Sequence, residues 1–177
     1  VSNPEKCLKP ESEWPERVPR GRVMVAPGEW PTIVYELWRR GVVDAIDEDK
    51  VFKVNGEMVL NGAFGVRQPK DPPVMRKGKS MPVLRFIVDL QASNDDLLVM
   101  VGDVRSLPMV GQWSMVVLHQ GEAMLTYSED QKACFYLYWV VEPWRSFFTL
   151  SKRAPGWSVG KPHLRSTLIA LRVVPMG

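Results

Sequence analysis

Asn61-Gly62-Ala63-Phe64-Gly65-Val66-Arg67 and Val83-Leu84-Arg85-Phe86-Ile87-Val88-Asp89-Leu90 are the two runs on which the reading of this chain turns. Both read as strands: the second is rich in Val, Ile, Leu and Phe, and the first carries Phe64 and Val66. Asn61-Gly62 reads as a turn that starts the first run, and 94–96 ends the second. Between them, Gln68 to Pro82 carries Pro69, Pro72, Pro73 and Pro82 among Lys70, Arg76, Lys77 and Lys79. Proline removes a backbone donor and fixes φ, so this segment reads as a loop. The expectation is strand, basic tip, strand, with 63–67 antiparallel to 83–90.

Upstream, 51–54, Asn55-Gly56 and 58–60 read as a hairpin, because Asn-Gly accepts the positive φ values of a two-residue turn. Residues 44–49 are acidic and turn-like. Glu29-Trp30-Pro31 opens a helical stretch over 32–40, with Ile33, Leu37 and Trp38 near one face and Gly41 at its stop. Residues 1–28 contain Pro4, Pro10, Pro15, Pro19 and Pro27 and keep no period. They read as an extended arm that leans on another surface or is mobile. Trp14 and Trp30 are its expected anchors.

Downstream, 97–101 reads as strand or helix, 102–111 as loop, and 113–118 as strand. Gly121-Glu122 turns the chain, and 123–127 stays open. The aromatic run 135–139 reads as a helix start or a strand edge, broken by Glu142-Pro143-Trp144. Residues 147–150 read as strand, 152–162 as a Gly/Pro loop, and 168–174 as a β-rich run. The class is α+β, in three regions: 1–28, 29–100 and 101–177. The chain opens on Val1 and stops on a strand-to-turn signal, so a trimmed or partial product is expected.

Composition narrows the chemistry. The 177 residues are 45% hydrophobic and 24% charged, with a formal net charge of +3. That excludes a disordered chain, collagen and a coiled coil, and it permits a nucleic-acid partner without requiring one. Cys7 and Cys134 are too few and too far apart for a disulfide framework or a zinc site. The longest apolar run, 133–141, falls far short of the ~20 residues that span a bilayer. His119 and His163 have no acidic or Cys partner at ligand spacing. No nucleophile elbow, phosphate-binding loop or dinucleotide fingerprint occurs.

Three blocks then stand in order. The first is Asn61–Val66 through 84–94, with its Lys-bearing tip and its Arg-apolar-apolar-apolar-Asp strand. The second is Ser128-Glu129-Asp130, with Phe135-Tyr136 following. The third is Leu171-Arg172-Val173-Val174-Pro175-Met176-Gly177. Together they resemble the fingers and the first part of the palm of a reverse transcriptase. Glu-Asp-x-x-x-x-Phe-Tyr and Val-Pro-Met-Gly are most similar to retroelement polyproteins of protists such as dinoflagellates. The resemblance covers about residues 56–177. It implies a fingers β-hairpin plus an incomplete palm, RNA-directed DNA synthesis on an RNA/DNA template-primer, and Mg²⁺ or Mn²⁺ as cofactor. By the same resemblance Asp130 is the metal ligand and catalytic carboxylate. Arg85 with Lys77 or Lys79 meets the triphosphate, Phe135 gates the sugar, and Met176 lies in the turn beside the templating base pair.

The residue types suit those roles. Carboxylates hold the divalent metal that spreads phosphoryl charge. Arg offers a planar fork to phosphate, and Lys a point charge. Each residue has a plainer reading as well: Asp130 as a helix cap, the basic loop as a solvated tip, Phe135 as core. Asp89 and Asn94 are expected to shape the hairpin. The resemblance departs where further carboxylates are needed. Asp95-Asp96 is the one Asp-Asp pair, and it precedes Asp130. A single carboxylate cannot hold two metals, so this chain alone is expected to be inactive and to bind no metal tightly. The alternative is a non-catalytic structural subunit of a larger assembly. If the arm is ordered, protein partners are expected at Trp14, Trp30 or Trp157.

Overall fold

The computed structural model describes residues 3–69, 71–76, 78–98, 116–124 and 134–175. The chain divides into one unit of Val1–Leu98 with Ala133–Gly177 and another of Val99–Lys132. In the first unit the elements are α1 (Trp30–Arg39), β1 (Val43–Ile46), β2 (Lys53–Val54), β3 (Glu57–Met58), β4 (Gly62–Arg67), β5 (Val74–Arg76), β6 (Lys79–Met81), β7 (Leu84–Asp89), α2 (Gln91–Asn94), α3 (Glu142–Arg145), β8 (Thr149–Ala154) and β9 (Thr167–Leu171). The class is α+β with small antiparallel sheets. No helix among the described residues is long and apolar enough to cross a membrane.

The largest sheet has the order β1-β9-β8. Every residue of β9 is buried. Its side chains alternate between two clusters, as a central strand covered on both faces requires. Ile169 and Leu171 join Val34, Val43 and Leu150, while Leu168 and Ala170 join Ile46 and Val51. α1 packs on the first cluster through Trp30, Ile33, Val34, Leu37 and Trp38, which share one helical face. Pro31 sits in its first turn. Gly41, at φ +74°, ends it, and the amides of Gly41 and Val42 return to the carbonyls of Trp38 and Leu37 at 2.8 and 2.9 Å.

The two expected hairpins form. Asn55 (φ 51°) and Gly56 (φ 80°) turn β2 into β3. β4 pairs antiparallel with β7 from Gly62↔Asp89 to Arg67↔Leu84. Other expectations are corrected. Residues 44–46 belong to β1 rather than to an acidic turn, because Val43 and Ile46 are buried and the strand pairs with β9, while Glu48–Lys50 form a 3-10 turn. The strand expected at 147–150 begins at Thr149 and runs into the segment expected to be loop, with Lys152 and Arg153 on its exposed part. Gln68 to Pro82 holds a third hairpin, β5–β6, with Gly78 at φ +73°. Glu142-Pro143-Trp144 opens a short helix, since proline is tolerated in a first turn. In the second unit, 116–119 has no regular structure and the chain turns at Gln120-Gly121; residues 113–115 lie outside the described residues.

Asn61-Gly62 is not a turn. Asn61 is fully buried and lies beside β8: its amide donates to the Thr149 carbonyl (2.8 Å), and its carbonyl accepts from Ser151 (2.9 Å). Its Nδ2 donates to the carbonyl of Phe147 at 2.7 Å. Its Oδ1 accepts from the Ser93 hydroxyl at 2.7 Å and the Ser93 amide at 3.3 Å. The arm crosses at the same place. Gly21 donates to the Leu60 carbonyl at 3.0 Å, and a Cβ on Gly21 would stand 2.1 Å from the Gly62 nitrogen. Glycine is required there by close backbone approach.

The arm therefore finds its surface on its own chain. Val18 joins Val54, Val59 and Ala92, with Trp14 and Phe52 against them. Trp30 is buried and donates to the Arg153 carbonyl at 2.9 Å, whereas Trp157 is exposed. Asn61→Ala should cost about 2–4 kcal/mol, because it strands the buried partners of the amide. Urea unfolding checks this as a lower midpoint at unchanged m-value. A loss below about 1 kcal/mol would contradict the assignment.

Candidate functional site

The β4–β7 hairpin carries the candidate cations. Directly opposed residues share a face, so Ala63, Val88 and Phe86 line one side and Val66 and Arg85 the other. Ala63 and Val88 are buried and Phe86 packs against the same cluster, so that side is core. Arg85 is left exposed on the opposite side. The period of two thus orients the cation: a core face fixes the strand, and the intervening side chain points outward.

Lys79 is exposed at the head of β6, opposite Arg76 in the β5–β6 turn. Neither Lys79 nor Arg85 is ion-paired among the described residues. Where this smaller hairpin meets the larger one, a cleft of about 230 Å³ is lined by Arg67, Gln68, Asp71, Ser80 and prolines. The basic segment thus carries a short hairpin with Lys79 exposed on it and a cleft at its root.

Phe135 lies in the 3-10 turn Cys134–Leu137. Its neighbour Tyr136 ties that turn to the hairpin: the phenol donates to the Phe86 carbonyl at 3.0 Å. Burial pushes the Tyr136 phenol above its ordinary pKa, and the nearby Arg85 charge opposes that rise. The structure therefore brings Arg85 and the Phe135-Tyr136 segment into one neighbourhood. Asp130, Lys77 and Met176 lie outside the described residues. Among the described residues no three His, Cys, Asp or Glu side chains gather as a metal site.

Asp89 shapes the hairpin's exit, its Oδ1 accepting the Gln91 amide at 3.1 Å. The Asp95-Asp96 pair is not an exposed acidic site. Asp96 is fully buried, and burial together with the Asp95 charge pushes its carboxyl up to about 6, against the pull of Lys9. Sequence reasoning missed both the Tyr136 contact and the Asp96 burial. The aromatic run 135–139, read as a helix start or a strand edge, gave no sign that Tyr136 ties back to the hairpin. Nothing local marks Asp96 apart from Asp95.

No protein family, curated protein or solved structure matches the chain.

Tyr136→Phe should cost about 1 kcal/mol through the lost hydrogen bond. The raised phenol pKa favours the fold fully below the ordinary value of 10.0, and that contribution is lost as pH rises through the folded value. Wild-type stability should therefore fall more steeply than that of the Phe variant above pH 10, as measured by urea unfolding across alkaline pH. Parallel profiles would contradict the contact.

Proposed function

We propose that this chain carries the fingers and the front of the palm of a reverse-transcriptase-like, RNA-directed DNA polymerase of a retroelement, and that it does not polymerise as this chain alone. The observation that carries the reading is the β4–β7 register. It holds Arg85 outward on the strand whose Phe86 carbonyl receives Tyr136, beside the segment the resemblance makes the sugar gate. Lys79, exposed on the β5–β6 hairpin, suits a triphosphate, since a phosphate needs exposed, unpaired cations. In this reading Arg85 and Lys79 bind and orient the triphosphate, and Phe135 bounds the sugar. The metal falls to Asp130, and Met176 to the turn beside the base pair.

One observation favours the second reading, a non-catalytic structural subunit. The single Asp-Asp pair does not offer two exposed carboxylates, because Asp96 is buried. Leu137, Tyr138, Trp139 and Trp157 are exposed and would then be interface material.

Titration of a fluorescent deoxynucleoside triphosphate with Mg²⁺ tests the first reading. Arg85→Ala and Lys79→Ala should each weaken binding about tenfold. Equal affinity in wild type and both variants would count against it. Purified chain should incorporate no nucleotide on a primed template with Mg²⁺ or Mn²⁺. Template-dependent incorporation abolished by Asp130→Ala would overturn the claim of inactivity.

A further inference from the structure

Among the described residues, the buried side-chain oxygens without a hydrogen-bond partner are the two of Asp96. A buried carboxylate with nothing to answer it is costly to ionise in place. The arm runs alongside it. The Lys9 amide donates to the Asp96 carbonyl at 3.0 Å, and the Leu98 amide donates to the Cys7 carbonyl at 2.7 Å. Leu8 bridges Leu97, and Lys9 Nζ donates to the Asp95 carbonyl at 2.6 Å. Cys7 is itself buried. Residues 7–9 thus run antiparallel to 96–98 through one isolated bridge, beside an unsatisfied acid.

We propose that this contact is an acid-tightened latch: the start of the arm docks while the buried Asp96 carboxyl is protonated, and ionisation of that carboxyl loosens the contact. Release would uncover Phe52 and Phe147, which with Pro4 and Leu8 of the arm line a groove of about 550 Å³. The inference is independent of the polymerase reading.

Among the described residues, the charged groups acting on Asp96 are Asp95 on its own turn and Lys9 from the arm; burial raises its pKa from 3.8 to about 6, Asp95 adds to the rise and Lys9 opposes it. The docked form therefore keeps a proton that the released, hydrated form has lost. Docking is tightest below the hydrated value. It weakens about tenfold per pH unit up to the docked value and is level above it.

Amide hydrogen exchange on the whole chain, corrected for intrinsic rates, tests the latch at Lys9 and Leu98. Protection should fall about 30-fold between pH 4.5 and 7 in the wild type. Asp96→Asn should abolish that fall. Lys9→Met removes the opposing cation and should move the midpoint upward, which keeps the test open if Asp96→Asn does not fold. Wild-type protection that does not change with pH, the same fall in Asp96→Asn, or a Lys9→Met midpoint that stays or drops would each overturn the proposal.

Discussion

The Asn61 carboxamide is the interaction on which the other contacts converge. A buried amide must find its partners or cost the full desolvation of its polar atoms. Here the partners come from segments far apart in the chain: Phe147 and Thr149 before and within β8, and Ser93 in α2. The same residue's backbone extends the free edge of β8, so that edge is closed by the residue from which β4 starts. The arm crosses at Gly21, where only a missing side chain lets two backbones meet. Sheet, hairpin and arm are therefore located by one site.

That site also sets where the candidate cations go. β4 leaves the knot at Gly62 and β7 returns to it at Asp89, so the hairpin is anchored at its root and free at its tip. Core packing of Ala63, Val88 and Phe86 fixes which face looks outward. Arg85 follows from that alternation, and Tyr136 adds a second tie from the aromatic turn. A rigid root with exposed cations beyond it is a suitable device for holding a charged ligand, because positioning depends on the supporting residues as much as on the contacting ones.

The elements legible in the sequence were those with a local cause. Asn55-Gly56 specifies its turn by dihedral preference, and the apolar spacing of α1 by the helical period. The two runs of the larger hairpin carry their own β pattern. What was hidden depends on distant partners. Asn61-Gly62 has turn chemistry, yet its Asn is used as a buried cross-link and its Gly as a point of close approach, uses that no local pattern distinguishes. β1 reads as acidic until β9 is placed beside it, and β8 hides Lys152 and Arg153 on an exposed stretch. In the Pro-rich tip, Gly78 was the one signal for a turn. Of the candidate site, Arg85 and Lys79 were legible as residue types, but the β5–β6 hairpin that carries Lys79 was not.

The central claim is that the Asn61 knot is the last part of the first unit to open. Native-state hydrogen exchange in low denaturant measures this directly. The amides of Asn61 and Ser151 should exchange only with global unfolding, while those of the β5–β6 hairpin exchange by local opening at far lower free energy. Exchange at Asn61 and Ser151 as easy as at the tip would contradict the account.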